Sequence, residues 1–209
     1  MLPERTVERL SEYRRTLYNC LAEGKEYIYS HELARLHDIT AVQVRRDIML
    51  LGFSGMLKKG YPIRSLIERI SHIIDYEEGL NVAIVGIGHL GYALTAYFRG
   101  KRPKLNIVAA FDVDKEKVGK VFNGVPCYHV DEMERVVREN NITIGIITVP
   151  SEYAEETFNH LVSLGIKGIM NFTSVPLKVP PDVFLENKDM ISSLEKVAYF
   201  VKQKLINKK

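Results

Sequence analysis

The fold of this chain is decided by residues 80–91, which read Leu-Asn-Val-Ala-Ile-Val-Gly-Ile-Gly-His-Leu-Gly. An apolar strand leads into the turn Gly86-x-Gly88-x-x-Gly91, and a helical pattern follows the turn. A second apolar segment, residues 106–111, ends at Asp112. This acid follows the glycines at the roughly 20-residue distance that is typical of a dinucleotide-binding βαβ unit. The stretch therefore predicts a Rossmann domain.

Each glycine of the turn has a separate task. Gly86 makes the tight turn after the strand, Gly88 lets the backbone approach a pyrophosphate, and Gly91 lets the helix pack against the sheet. The helix N-terminus adds amide N–H groups and a partial positive charge. The carboxylate of Asp112 binds ribose hydroxyls and repels a 2′-phosphate, which favours NAD(H) over NADP(H). Two alternatives are a Rossmann-like domain that binds nothing and one that binds coenzyme A.

The second domain, residues 79–190, alternates apolar strands with amphipathic helices. This pattern predicts an α/β fold with a doubly wound parallel sheet. Thr148, Val149 and Pro150 lie at the carboxyl end of a predicted strand, where they either border the nicotinamide or only start the next helix. The predicted strands are 81–85, 106–111, 142–149 and 167–171, and the predicted helices are 90–99, 131–140 and 151–164.

The first domain, residues 1–78, has the pattern of a winged helix. A long amphipathic helix comes first. Two short helices follow across a tight turn, residues 31–37 behind the cap Ser30 and residues 41–51 behind the cap Thr40. Two helices joined in this way form a helix-turn-helix. Gly55 and Lys58-Lys59-Gly60 are predicted to form a small basic hairpin, or wing. A fourth amphipathic helix, which begins at Pro62, completes the domain.

The third helix of this domain carries the residues predicted to read DNA. The inner face of the helix is formed by Ala41, Val44, Ile48 and Leu51. Gln43 and Arg46 lie on the outer face, where glutamine can pair with adenine and arginine with guanine in a major groove. Arg45, Lys58 and Lys59 are expected to contact phosphates. The alternative is that the arginines only solvate the surface of the helix.

Composition restricts the class of protein. The 209 residues have a net charge of +3 and are 46% hydrophobic, which allows a core in each of two small domains. Cys20 and Cys127 show no metal or redox spacing and are interpreted as core residues. The charged N-terminus does not resemble a signal peptide, and the longest apolar run is too short to span a bilayer. We therefore expect a cytoplasmic protein.

The C-terminal segment, residues 191–209, is predicted to be a dimerisation helix. Its apolar stripe consists of Ile191, Leu194, Val197, Ala198, Val201 and Leu205. A monomer would have to bury this stripe against its own sheet, whereas a two-fold dimer buries it against a partner subunit. A two-fold dimer also matches a palindromic DNA site, so the pattern favours a homodimer.

The sequence offers little that a dehydrogenase would need for catalysis. His129 and His160 are candidates for proton transfer by residue type alone. Fewer than 40 residues follow Asn171, which is too few for a substrate domain. We predict no catalytic residue and no metal site. The alternative is an NAD-dependent reductase with an accessory helical domain.

Together these features resemble the Rex family, bacterial redox-sensing transcriptional repressors that respond to the NADH/NAD+ ratio. The resemblance spans nearly the whole chain. The motifs that carry it are Thr40-Ala41-Val42-Gln43-Val44-Arg45-Arg46-Asp47, Gly86-Ile87-Gly88-His89-Leu90-Gly91, the segment 111–119, Thr148-Val149-Pro150 and Gly168-Ile169-Met170-Asn171-Phe172.

The resemblance implies a homodimer with N-terminal winged helices and C-terminal helices exchanged between subunits. NADH is expected to close the dimer and release operator DNA, while NAD+ competes for the pocket and leaves the DNA-binding state available. Arg15, Tyr97 and Asp189 are implied to exchange partners as a switch, and Met190 to line the nicotinamide pocket. The expected cofactor-binding residues are Gly86, Gly88, His89, Leu90, Gly91, Asp112, Thr148, Val149, Pro150 and Met190.

Three positions depart from the family pattern. Ser174 replaces a proline that is common in the Asn171-Phe172 motif. His89 stands where many members carry an arginine beside the pyrophosphate. Leu57 stands where related wings often carry a basic residue. The contacts of the wing with DNA are therefore not transferred from the family position by position.

Overall fold

A computed structural model of the chain describes residues 1–56, 59–102 and 104–206. The chain divides into two compact units, Met1–Glu77 and Glu78–Lys209. The N-terminal unit contains one apolar core, and the C-terminal unit contains two, one on each face of its sheet.

The N-terminal unit combines helices with a two-stranded antiparallel sheet. Its elements are α1 (Glu4–Ala22), β1 (Tyr27–Ile28), α2 (Ser30–Leu36), α3 (Ala41–Leu50), β2 (Tyr61–Pro62) and α4 (Ile63–Ile74). Thr40 caps α3 as predicted, because its hydroxyl accepts a hydrogen bond from the amide of Gln43 at 3.1 Å. The predicted Ser30 cap is wrong. Ser30 is the first residue of α2, and the amide of Tyr29 before it donates to the Glu32 carboxylate at 2.8 Å.

The core of this unit is closed by the inner face of α3. Val44 and Ile48 are fully buried and Leu51 is 1% exposed, which confirms the predicted inner face. Ala41 is only partly buried at the edge of the same core. The opposite face of α3 remains exposed, so the helix is anchored from one side and available from the other.

The C-terminal unit contains a sheet with the strand order β5-β6-β4-β3-β7-β8-β9 among its described residues. Its strands are β3 (Leu80–Val85), β4 (Leu105–Asp112), β5 (Val121–Phe122), β6 (Val125–His129), β7 (Ile142–Ile147), β8 (Gly168–Asn171) and β9 (Phe184–Asn187). Its helices are α5 (His89–Phe98), α6 (Met133–Glu139), α7 (Ala154–Ser163) and α8 (Met190–Ile206). All neighbouring strands pair in parallel except β5 and β6. From β6 to β9 this is the Rossmann order, with β3 at its centre.

Three strands are absent from the sequence prediction. β5 and β6 form a hairpin around Asn123 and Gly124, whose φ angles of 52° and 86° are both positive. Two positive φ angles identify a type I′ turn, for which Asn-Gly is a preferred pair. β9 extends the sheet beyond β8 after a connection without a helix. The predicted parallel sheet is therefore confirmed, but two of its crossovers are loops or hairpins rather than helices.

Helix α8 ends the described chain and has no buried residue. Leu194 is 70% exposed and Leu205 is 64% exposed. A continuous apolar stripe of this kind is rare on the surface of a soluble monomer. Within the part of the chain that the structure describes, no helix is both long and apolar enough to cross a bilayer.

Candidate functional site

Three loops meet at the carboxyl edge of the central strands. The glycine loop follows β3, Asp112 ends β4, and Thr148 follows β7. The Thr148 amide donates to the Val85 carbonyl at 2.9 Å, and its hydroxyl donates to the Gly86 carbonyl at 2.7 Å. The loop after β7 therefore fixes the position of the glycine loop, at the edge where open α/β sheets bind their ligands.

The conformation of the glycine loop excludes side chains at two positions. Gly86 has a φ of 95°, and a Cβ there would lie 3.0 Å from the backbone of Thr148. A Cβ on Gly91 would lie only 2.0 Å from the carbonyl oxygen of Gly86. Gly88 differs, because no described atom lies within 4 Å of the place that its Cβ would occupy. The loop thus packs tightly against the sheet and leaves open space at Gly88.

Asp112 is 8% exposed and forms hydrogen bonds with both loops beside it. One carboxylate oxygen accepts from the Ile87 amide at 2.8 Å, and the other accepts from the Asp114 amide at 2.9 Å. The ammonium of Lys117 lies 3.1 Å from the first oxygen. Burial opposes ionisation, but the bonds from Asp114, Lys117 and Ile87 outweigh it and lower the pKa of Asp112. An ionised carboxylate therefore stands beside the glycine loop.

The other predicted cofactor residues are distributed around this edge. His89 is exposed and Leu90 is half-buried in the first turn of α5, and no side chain caps this helix at Gly88. Val149 is half-buried and Pro150 exposed after β7. Met190 is 60% exposed at the start of α8 and follows β9, which is two strands away from β7.

The three predicted switch residues are each engaged by local neighbours or exposed. Arg15 lies on the exposed face of α1. Tyr97 on α5 is 56% exposed, with the Lys101 ammonium 3.3 Å from the centre of its ring. The Asp189 carboxylate accepts hydrogen bonds from Ser192 and from the Ile191 amide at the start of α8. These bonds lower the pKa of Asp189, and the bond from the Ser192 hydroxyl is the largest cause.

Three of the predicted DNA-binding residues, Gln43, Arg45 and Arg46, belong to α3. Arg46 is exposed and makes no hydrogen bond or ion pair with the described residues. Arg45 is exposed and donates to the Ser30 hydroxyl at 3.2 Å. Lys59 lies 5.7 Å from the ring centre of Tyr27. Lys58 lies outside the described residues.

The orientation predicted for Gln43 needs correction. Its side chain was predicted on the outer face of α3, but it is half-buried. Its amide nitrogen donates a hydrogen bond to Asp47 at 2.9 Å. Asp47 was not predicted to be a core residue or a partner of Gln43. In the structure Asp47 is 1% exposed and binds Arg9 and Tyr13 of α1. The pattern of α3 contained the signal, since Asp47 lies between Val44 and Ile48 on the inner face.

Sequence reasoning also missed Lys117. This lysine contacts both Asp112 and Asp114, at 3.1 and 3.5 Å. Its distance in sequence from Asp112 matches no repeat of a helix or strand, because the segment between them is a turn. The alternation of acids and lysines in residues 112–117 was the only available sign.

Family comparisons agree with the division into two units. Residues 1–48 match a family described as putative DNA-binding protein N-terminus, and residues 77–175 match the CoA binding domain. A redox-sensing transcriptional repressor Rex of Exiguobacterium sp. is 38% identical over 200 residues, which cover 96% of this chain and 92% of that protein. The chain belongs to the Rex family. The Rex of Lactobacillus gasseri is also 38% identical, over 96% of this chain and 94% of its own.

Solved structures agree with this assignment along the whole length of the chain. RSP, a Rex-family repressor, was crystallised in complex with beta-NAD+ and operator DNA, and that structure has a TM-score of 0.91 at 32% identity. It covers 100% of this chain and 96% of RSP. The complex of RSP with beta-NADH has a TM-score of 0.86 and covers 100% and 98% of the two chains. The winged-helix and Rossmann architecture of this chain is therefore the architecture of the family.

Proposed function

We propose that this protein is a homodimeric repressor that binds palindromic operator DNA and is released when NADH occupies its Rossmann domain. The observation that carries the proposal is the hydrogen bond from the Ile87 amide to the Asp112 carboxylate. This bond joins the group proposed for the ribose to the loop proposed for the phosphates. A helix-turn-helix on the same chain gives the nucleotide something to control.

The glycine loop and its surroundings fit an NAD(H) molecule. The open space at Gly88 accommodates a pyrophosphate, and the uncapped amides at the start of α5 offer hydrogen bonds to it. Asp112 would accept the adenosine ribose hydroxyls. Its low pKa keeps it negative at neutral pH, so a 2′-phosphate is repelled and NAD(H) is preferred over NADP(H). His89 would lie beside the pyrophosphate, where many members of the family carry an arginine.

The protein must distinguish two cofactors that differ by one hydride and one charge. The charged ring of NAD+ is costlier to bury in a water-poor pocket than the neutral ring of NADH. Thr148, Val149 and Pro150 are proposed to border this ring, with Met190 closing the pocket. A ligand shifts an equilibrium only through its different affinity for the two states. Complete conversion needs roughly 10⁴-fold discrimination, or about 5.5 kcal/mol.

A homodimer has two DNA-binding domains, one for each half of a palindromic site, and it buries the apolar stripe of α8. The exposed apolar stripe of α8 is most simply buried by a partner subunit, with the helices of residues 191–209 exchanged across a two-fold axis. Pocket closure would then reach the domain of residues 1–78 through Arg15, Tyr97 and Asp189. In the described chain the Asp189 carboxylate caps α8, so a new partner of this carboxylate has to share or replace these bonds.

The DNA interface is proposed to be the exposed face of α3 together with the wing. Arg46 and Gln43 would read bases, and Arg45, Lys58 and Lys59 would bind phosphates. Phosphate contacts release counterions, so affinity for the operator should fall steeply with salt. Both DNA and the NADH pool are available in the cytoplasm, where we place the protein.

Two other functions are less consistent with the site. The match to the CoA binding domain raises the possibility of coenzyme A. Coenzyme A carries a phosphate on its adenosine ribose, which the Asp112 carboxylate would repel. An NAD-dependent reductase would need a proton donor and a substrate pocket, and the relatives are named as repressors. We therefore propose that the chain is not an enzyme.

Fluorescence anisotropy tests the proposal. The probe is a labelled palindromic duplex selected from a random pool by the full chain itself. Titration with NADH is expected to lower the affinity for the duplex by at least about 5- to 150-fold, the usual range for coupled sites, and by roughly 10⁴-fold where release is complete. NAD+ alone should not release it. By linkage, the duplex should weaken NADH binding by the same factor.

Thermal unfolding with each nucleotide gives the control. NADH should raise the unfolding temperature more than NADPH or coenzyme A does, because only a ligand of the folded state stabilises it. Retention of the duplex at saturating NADH would contradict the proposal, and so would stronger protection by coenzyme A. Steady consumption of NADH with small carbonyl compounds would favour the reductase instead.

A further inference from the structure

Asp47 is a buried acid in the helix whose outer face is proposed to read DNA. Its side chain is 1% exposed, and its carboxylate accepts four hydrogen bonds. Arg9 donates two of them, both at 2.7 Å, in a bidentate pair. The Tyr13 hydroxyl donates at 2.9 Å, and the Gln43 amide nitrogen donates at 2.9 Å. Three of the four bonds come from α1 and one from the recognition helix itself.

The bonds from α1 hold the carboxylate in one orientation. A bidentate arginine is the geometrically most restrictive partner of a carboxylate, and the tyrosine fixes the same oxygen from another side. Burial opposes ionisation of Asp47, but the bonds from Arg9, Tyr13 and Gln43 keep its pKa below the usual value. The group is therefore a fixed anion that can only accept hydrogen bonds.

This fixed anion determines how the Gln43 amide is turned. A glutamine side chain has a carbonyl oxygen and an NH₂ group that can exchange places by rotation. Only the NH₂ group can face a carboxylate, so Asp47 selects one of the two orientations. One N–H is used by Asp47. When Asp47 takes the N–H that is trans to the carbonyl oxygen, the second N–H and that oxygen remain side by side on the other edge of the amide.

An adjacent donor and acceptor form the pattern that adenine requires. Its N7 accepts a hydrogen bond and its N6 amino group donates one in the major groove. We propose that Asp47 is a positioning residue that presents the Gln43 amide to adenine, with the bidentate bond from Arg9 holding Asp47 in place. This inference rests on the proposed binding of DNA through α3. It assigns to an acid that never touches DNA the choice of base at one position of each half-site.

The test measures base discrimination rather than affinity alone. The full chain first selects palindromic duplexes from a random pool, and each conserved adenine is then replaced by guanine or by 7-deazaadenine, which lacks N7. For one adenine per half-site we expect guanine to weaken binding by about 5- to 150-fold. Loss of N7 at that adenine should weaken binding by about 2- to 12-fold.

Three variants separate positioning from packing. Gln43→Met should abolish discrimination at that adenine and leave the other positions unchanged. Asp47→Asn should also reduce it several-fold, because asparagine can donate to the Gln43 oxygen and turn the amide around. Tyr13→Phe is the matched control. It removes a bond to the same carboxylate but keeps the bond to Gln43, so discrimination should persist.

A measurement on the unaltered chain covers the case in which Asp47→Asn fails to fold. The sequence contains only two glutamines, Gln43 and Gln203, so labelling glutamine with ¹⁵N gives two side-chain amide pairs. The pair that disappears in Gln43→Met belongs to Gln43. We expect slowed rotation and one proton protected from exchange with water. Free rotation of this amide would overturn the proposal.

The outcomes also distinguish this inference from the proposed function. If the chain selects no duplex, the proposed function fails. If it selects one and Gln43→Met reduces discrimination while Asp47→Asn does not, DNA binding stands and the positioning role of Asp47 is wrong. If Tyr13→Phe and Asp47→Asn reduce discrimination equally, Asp47 acts only through the packing of α1 on α3.

Discussion

Two buried carboxylates, Asp47 in the N-terminal unit and Asp112 in the C-terminal unit, are held in different ways. All bonds to Asp47 come from side chains, and three of them cross from α1 to α3. Asp112 accepts from two loop amides and from Lys117. Both acids have a lowered pKa although burial opposes ionisation. The same chemical group thus joins two helices inside one unit and joins two loops at the carboxyl edge of the sheet in the other.

The difference lies in what can replace the bonds. Arg9 lies 38 residues from Asp47 along the chain, and its guanidinium has no substitute in the core between the helices. The loop at Asp112 lies at the carboxyl edge, where ligand hydroxyls can share the carboxylate with the amides. We infer that the Asp47 carboxylate fixes the packing of α1 on α3, whereas the Asp112 carboxylate can exchange partners when a ligand binds.

Removal of the Asp47 carboxylate is expected to have the largest effect on stability. Asp47→Ala should lower the free energy of unfolding of the N-terminal unit by about 3–5 kcal/mol, because Arg9 and the Tyr13 hydroxyl lose their partner. Chemical denaturation followed by circular dichroism measures the loss. NADH binding, measured by calorimetry, should survive, because Asp112 belongs to the other unit.

An exposed acid on α1 supplies the control for this variant. Glu8→Ala should change stability by less than about 0.5 kcal/mol, since surface substitutions away from special features have small effects. If Asp47→Ala lost no more stability than Glu8→Ala, the four hydrogen bonds to Asp47 would not stabilise the N-terminal unit. Loss of NADH binding together with the fold would show that the two units are not independent.

The second carboxylate should respond in the opposite way. Asp112→Ala should weaken NADH binding by about 10- to 150-fold, the usual effect of losing hydrogen bonds to a charged group. NADPH should lose little, because its 2′-phosphate no longer meets a negative charge, so the preference for NADH collapses. Glu116→Ala, an exposed acid in the same turn, is the matched control and should bind NADH normally. Unchanged discrimination between the two nucleotides in Asp112→Ala would contradict the role of this acid.

The two sites also differ in how far the sequence predicted them. The glycine loop and Asp112 were predicted because a βαβ unit places them together through local spacing, and the three central strands lie close to their expected bounds. The Asp47 network was missed because its partners lie 34 and 38 residues away, on another helix. Amphipathic periodicity ranks residues as inside or outside, and it has no category for an acid that is inside and paired.

Elements with weak periodicity were missed for a related reason. β5 and β6 contain seven residues in total, interrupted by Asn123, Gly124 and Pro126, so no alternation is long enough to indicate a strand. The Asn-Gly pair was the available signal. β9 pairs only with β8 at the edge of the sheet, and its burial depends on that single neighbour. Long elements with many core contacts are predictable, whereas short edge elements depend on partners that the sequence does not place.

A proton provides the mildest test of the comparison. His37 packs edge-on against Tyr13 with ring centres 5.1 Å apart, and its Nε2 lies 3.0 Å from the Thr16 hydroxyl. Burial is the main cause that lowers the pKa of His37. The charge of Arg15 acts in the same direction, and Glu12, 3.7 Å away, acts against both. The folded state therefore takes up this proton at lower pH than the unfolded state does.

The sign of the pH effect follows from linkage. As pH falls below about 6.5, the ordinary histidine value, the unfolded state gains a proton that folded His37 does not, and the N-terminal unit loses stability. The slope is at most about 1.4 kcal/mol per pH unit, and it ends once pH passes the lowered pKa. Denaturation of His37→Phe between pH 7 and pH 5 should lack this slope, while the exposed control His72→Gln should retain it. A slope that persists in His37→Phe would mean that another group in the unit takes up the proton, and the contact with Tyr13 would then have no part in sensing pH.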